Sequence, residues 1–363
     1  MTRARELAEL GSVYDNSALS NRNILMNGAQ VISQRGTSAL TASSSSDTFI
    51  TDRFRISNYS DATFTGQQVA DAPTDFEYSC KVTTTGTDTS LAASQYQRFI
   101  TAIEGYNMNH LMYGSSSAKT CTLTFHVKSS LTGAFYVFGF NSAANRSIVV
   151  GYTIDSADTW EKKTLTIAGD TSGTWLTTNG AGMYFGWSLG SGTNFHTTTT
   201  DAFQAGFKMA KSDQVNLAGT SSATWQITGV QLEVGTEATP FEHEPYSVTL
   251  SKAQRYFCQI ENNTGAQHYL STLQAYSSSN VFGQVANYPA TMRTTPSVAQ
   301  SGTFLYTLAS SSSAGGATTI GLFAANSTGW WTGGWGGGSG LTAGHASIIN
   351  WANGAKLTAD AEL

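Results

Sequence analysis

The eight tryptophans and fifteen tyrosines of this 363-residue chain are the side chains with the clearest chemical reach. A flat ring stacks on the apolar face of a sugar much as it stacks on another ring, so what matters is which rings a fold leaves uncovered. In residues 181–189 the two-residue period of a strand puts Met183, Phe185 and Trp187 on one face, and Trp187 is read as core. Tyr184 faces the other way between Gly182 and Gly186, whose missing side chains leave its ring open. Trp160 shares a face with Lys162, Thr164 and Thr166, and Trp175 sits in the turn-like segment 174–180. Trp160, Trp175 and Tyr184 are therefore candidate carbohydrate-binding residues, with ordinary packing as the alternative. Trp330, Trp331 and Trp335 form a second set, embedded in the glycine-rich run 329–340. Glycine loses much conformational entropy on ordering, and large rings on a pliant loop suit recognition. The alternative is that these rings plug a three-fold axis or fold back on their own domain.

Other chemistries find little support. Asp155 with Asp158 and Glu242 with Glu244 lie in turns and not in the facing positions that glycoside hydrolysis requires, so no catalytic residue is assigned. The six histidines are isolated from one another, without the spacings that ligate a metal, and no metal or other cofactor is expected. The glycines of 333–340 are followed by no Lys-Ser/Thr pair, which excludes a phosphate loop. Cys80, Cys121 and Cys258 are too widely spaced for a zinc site and odd in number, so they are read as free thiols. A net charge of −5 gives no footprint for nucleic acid or anionic lipid. No apolar run is long enough to cross a membrane and no signal peptide opens the chain, so a protein made in a cytoplasm and not inserted into a membrane is expected.

The elements that must position these rings are strands. Only 12% of residues are charged and Gly numbers 36, a loop-rich all-β composition with length for two domains. Leu123, Phe125 and Val127 alternate with Thr122, Thr124 and His126 in a half-buried strand, whereas 134–140 is apolar on both faces, as a strand covered on both sides would be. Strands at 146–154, 160–168 and 181–189 come next, at sandwich spacing. The last strand, 224–234, changes phase: Trp225 and Ile227 share one face, but Val230, Leu232 and Val234 fall in the other. A β-bulge at Gly229 would restore them to the core. Leu250, Ala253 and Phe257 recur at helical steps, predicting a short connector helix over 247–258. Beyond it, strands are expected at 268–275, 281–286, 303–308, 318–323 and 345–351. Residues 1–20 form an arm whose Leu7 and Leu10 lie on one helical stripe, candidates for docking or oligomer contact. The expected class is thus all-β: a jelly-roll sandwich over 21–246, then a smaller β-sandwich domain over 259–363.

Several short motifs carry a resemblance. The opening Asn23-Ile-Leu-Met-Asn-Gly28 and Ser33-Gln-Arg-Gly36, the closing strand with its turn to Glu242, Ala253-Gln-Arg-Tyr-Phe257, and the Met292-Arg-Thr-Thr-Pro296 turn together resemble the carbohydrate-binding-module-like jelly rolls of tailed-bacteriophage virion proteins, tail fibres especially. Ala253 stands where that family usually has Cys. The resemblance implies a virion protein exposed on the tail or particle surface. It would attach to other virion proteins through the arm, assemble as a homotrimer and recognise a host surface glycan. A purely structural head or neck decoration is the alternative, and a polysaccharide-degrading tailspike-type enzyme is the third.

Overall fold

A computed structural model describes residues 21–266, 268–275, 281–308, 314–317, 326–333 and 343–363. Leu7, Leu10, Trp335 and the strand expected at 318–323 lie outside the described residues. The chain divides into one unit that runs to Thr249 and includes Leu363, and another over Leu250–Glu362.

The first unit is a pair of antiparallel sheets. One has six strands in the order β1 (Leu40–Ala42), β4 (Thr63–Val69), β5 (Ser79–Gly86), β13 (Thr224–Val234), β7 (Cys121–Ser129) and β10 (Glu161–Ile167). The other has seven, in the order β12 (Gln204–Ala205), β9 (Arg146–Ile154), β8 (Gly133–Asn141), β11 (Ala181–Ser191), β6 (Tyr96–Glu104), β3 (Phe54–Tyr59) and β2 (Ser46–Thr51). Their facing sides share one core. Trp225 of the first sheet and Trp187 of the second are both fully buried, with ring centroids 6.3 Å apart, and Phe99 and Phe125 pack against them. The assignment of Met183, Phe185 and Trp187 to one buried face holds.

The phase change in β13 is resolved as expected. Thr228 pairs with His126 and Gln231 with Thr124, so two residues, Gly229 and Val230, stand opposite Phe125 alone. Gly229 takes φ +62°, a left-handed conformation that favours glycine, and Val230 and Leu232 return to the core. The opening motif holds this bulge in place. Gly28 accepts from the Val230 amide, and a Cβ at Gly28 would stand 2.0 Å from the Val230 carbonyl oxygen. Asn23 donates to that carbonyl and accepts from the Leu232 amide, while Asn27 ties Ile32 to Asp52. These asparagines perform backbone work and are not ligand groups.

The two outer faces are unlike. That of the seven-stranded sheet is covered by the segment after β11: Phe138, Phe140, Ile100 and Val149 pack under Met209 and Phe207. This is why 134–140 reads as apolar on both faces. The outer face of the six-stranded sheet carries polar side chains, His126 and Lys128 among them.

The second unit has a three-stranded sheet, β14 (Phe257–Glu261), β22 (Lys356–Asp360) and β17 (Ser297–Ser301). Its other sheet runs β19 (Ala314–Ala317), β18 (Phe304–Leu308), β21 (Ala346–Trp351), β15 (His268–Ala275), β16 (Val281–Asn287) and β20 (Gly329–Gly333). The connector helix spans Tyr246–Gln254 and stops short of the expected end at 258, because Phe257 and Cys258 enter the sheet by pairing with Asp360 and Ala359. Arg293 of the Met-Arg turn donates to the carbonyls of Ala361 and Glu362, fixing the last strand's exit.

Candidate functional site

The site is built where the segment after β13 folds back over the six-stranded sheet. Glu233, almost wholly buried, accepts from the Thr239 amide and hydroxyl and from Gln231, while Gln231 accepts from the Glu242 amide. Glu242 in turn accepts from the amides of Asn21, Arg22 and Asn23 at 2.6, 2.7 and 3.0 Å. A carboxylate so occupied is a structural clamp, with little lone-pair capacity left for acid–base work. The clamp presents Phe241 and His243 across from loop 71–78, which joins β4 to β5 and brings Phe76 back through a turn at Pro73.

Between these segments lies an open groove of 570 Å³, floored by His126 and Lys162 and walled by Phe76, Phe241, His243 and Asp75. Phe76 is the hub, with ring centroids 5.3 Å from His126, 5.0 Å from Phe241 and 5.4 Å from His243. The bulge makes room for it: a side chain at Gly229 would meet the Phe76 ring at 2.6 Å and the His126 ring at 2.8 Å. Burial, with the Lys162 ammonium adding to it, holds the His126 imidazole below its ordinary pKa, and Asp75 opposes this in part. The groove floor is therefore a neutral ring beside a cation.

His126 pairs across the sheet with Lys162. Two residues along, roughly 7 Å away, the same face carries Lys128. The Lys128 ammonium lies 5.1 Å from the Trp160 ring centroid, and Trp160 donates its Nε1–H to Asp71 at 3.3 Å. The ammonium bonded to Asp71 holds that carboxyl below the usual range, with the Trp160 hydrogen bond assisting. Trp160 is thus half-buried beside the groove, open in part and held at a fixed angle.

The other candidates fare differently. Trp175 is 7% exposed, wedged edge-on against Tyr113 and Phe203, so the loop ring expected as a stacking surface is corrected to a core residue. Tyr184 is half-buried and stacks on Phe140 at 4.9 Å, a partner on the neighbouring strand that the flanking glycines could not reveal. Trp330 and Trp331 belong to the edge strand β20, where they pair with Ala286 and Gln284, and so are not loop residues as expected. Phe76, Phe241 and His243 are not singled out by the sequence. They lie outside strands, and only the bulge glycine hints at a ring nearby.

Among the described residues no group of three His, Cys, Asp or Glu side chains is placed to hold a metal ion. All three cysteines are buried and none forms a disulfide, and burial pushes the Cys121 thiol up to about 12. Asp155 is engaged by the Lys163 ammonium at 3.3 Å. What the groove offers is reversible contact: ring faces for apolar patches, and imidazole, ammonium and carboxylate groups for hydroxyls.

The fold is that of an all-β protein of antiparallel sheets. No family model matches the chain, and no curated protein sequence matches it. Several solved structures match the chain at low identity, among them the following three. The CBM4 structure shares 13% identity over 58% of this chain and 98% of its own, with a TM-score of 0.31. The family 11 carbohydrate-binding module from Clostridium thermocellum, in complex with a β-1,3-1,4-mixed-linked tetrasaccharide, shares 12% over 56% of this chain and 99% of its own, with a TM-score of 0.30. The enzymatically active domain of bacteriophage CBA120 tailspike protein 4 shares 13% over 59% of this chain, with a TM-score of 0.30, and the match spans 22% of that chain.

Proposed function

We propose that the chain is a non-catalytic glycan-recognition protein whose first unit binds a sugar chain in the groove of Phe76, His126, Lys162, Phe241 and His243. The observation that carries this reading is an open groove with three rings converging on its wall beside a neutral imidazole and the Lys162 ammonium. Its 570 Å³ lies within the usual range of small-ligand sites. Trp160, at its flank, extends the contact to a second sugar unit. The motifs of the opening, the closing strand and the Met-Arg turn support a further step, that the protein works on the virion of a tailed phage as a tail fibre or receptor-binding appendage, assembled as a homotrimer.

Titration of the full-length protein against a panel of neutral and acidic oligosaccharides tests the binding. A ligand should be found whose affinity falls at least tenfold in Phe76→Ala and in Phe241→Ala, with Tm shifted by a few degrees at most. Binding that persists unchanged in both variants places the ligand elsewhere. Light scattering tests the trimer: a monomer at all working concentrations counts against a fibre.

A further inference from the structure

We propose that Arg98, on the outer face of the seven-stranded sheet, anchors a second site that takes the carboxylate of an acidic sugar residue. Arg98 is only 9% exposed, and its Nε and Nη1 are buried with no hydrogen-bond partner. Three rings surround the guanidinium, with the Tyr96, Phe140 and Phe207 centroids at 4.7, 5.5 and 5.5 Å. Rings stabilise the charge through their quadrupoles, yet they offer no acceptor to in-plane N–H groups. A buried donor left without an acceptor is costly, and a native fold retains it where something else completes the bond.

The neighbouring strand shows the same shortage. Ser57 pairs directly across from Arg98, is wholly buried, and its hydroxyl has no partner either. Two residues from it on the same face, Arg55 donates through Nη1 to the Leu363 oxygen and meets Asp47 only at 3.8 Å, and its Nε is also without a hydrogen bond. Asp47 acts on the Arg98 charge from a distance and forms no ion pair with it. The Arg98 guanidinium and the idle Ser57 hydroxyl together call for an acceptor-rich anion. Beside this box Tyr184 stacks on Phe140, and the Arg55 guanidinium stands 5.9 Å from the Tyr184 centroid. A ring next to an anion site fits a sugar bearing a carboxylate better than a bare inorganic ion.

The test uses the full chain and two probes, a glucuronate-containing oligosaccharide and its neutral glucose counterpart, measured by calorimetry at low and moderate salt. Wild type should bind the acidic probe at least tenfold more tightly than the neutral one, with the preference shrinking as salt rises. Arg98→Met should abolish that preference. Ser57→Ala, which leaves the guanidinium and its rings in place, should reduce it several-fold and serves where Arg98→Met fails to fold. Phe76→Ala, which weakens the groove on the other sheet, should lower total binding without removing the preference. Equal binding of the two probes by wild type, or an undiminished preference in Ser57→Ala or a folded Arg98→Met, overturns the proposal and leaves Arg98 a purely ring-packed cation. Loss of the preference in Phe76→Ala places it in the groove and overturns the second site alone.

Discussion

The two outer faces of the first unit start from similar strands and reach opposite ends. On the seven-stranded sheet, Phe138, Phe140 and Val149 point outward and would be an exposed apolar patch, but the segment carrying Phe195, Phe207 and Met209 covers them. On the six-stranded sheet the outward positions of β7 and β10 are Thr122, Thr124, His126, Lys128, Lys162 and Thr164, and the chain that folds back over them stops short, leaving a groove. The covered face spends Phe138 and the side chains packed over it on stability. The open face holds its rings on loops, where removing them costs less. The difference lies in the segment after each strand, an apolar flap beyond β11 and a polar clamp beyond β13.

The largest test of this contrast is Phe138→Ala. Phe138 is fully buried, so its removal should destabilise the first unit by about 3–5 kcal/mol while leaving groove binding unchanged in the material that remains folded. Chemical unfolding monitored by tryptophan fluorescence measures this. A cost under about 1 kcal/mol would mean that the flap does not cover the sheet and that the two faces are alike.

Gly28→Ala comes next. Its new Cβ would press on the Val230 carbonyl, and because the obstacle is backbone it cannot turn aside. A loss of about 1–3 kcal/mol is expected, as for overpacked sites. Since this contact seats the bulge, and the bulge glycine makes room for Phe76, ligand affinity should fall with it. Unaltered affinity would uncouple the bulge from the groove.

Phe76→Ala should cost only about 1 kcal/mol of stability, because the ring is half-exposed and its partners are themselves at the surface. Placed beside Phe138→Ala, it compares one side chain on the two faces. Equal stability costs would break the contrast.

Legibility in the sequence divides along the same line. Alternation in 121–128, double-sided apolarity in 134–140 and the phase slip at Gly229 are local patterns, and each fixes a structural feature without knowledge of the partner strand. The strands between 40 and 104 were not legible, because Arg55 and Arg98 occupy outward positions and disguise the period of β3 and β6. Charged residues there are buried by rings from elsewhere in the chain, a long-range fact. The groove was half legible. Trp160 was marked by its polar neighbours, but Phe76, Phe241 and His243 meet only because Glu233 and Glu242 clamp a returning segment, and nothing in the local pattern of 236–245 says where it returns. Trp175 failed for the converse reason: a ring in a turn-like segment was met by Tyr113 and Phe203, which lie far away in sequence.

The smallest expected effect is a pH dependence that belongs to one face. His126 is held below its ordinary value of 6.5, chiefly by burial in the groove floor and next by Lys162, with Asp75 opposing and His243 at the wall. In the unfolded chain the imidazole takes up a proton near 6.5, and the folded chain resists doing so. The unfolded state therefore binds more protons as pH falls from 6.5 toward the lower folded value, and stability, fully present above 6.5, declines across that window. Because His126 is half-exposed, solvent screening keeps the loss below about 1 kcal/mol. His126→Gln should flatten the slope of unfolding free energy against pH in that interval and leave it unchanged above about 7. His110 is lowered as well, through burial and Lys119, but it remains in both proteins and cancels in the difference. A slope identical in the two proteins would mean that the imidazole is solvated as in the unfolded chain, and the six-stranded face would then be a flat surface without a groove.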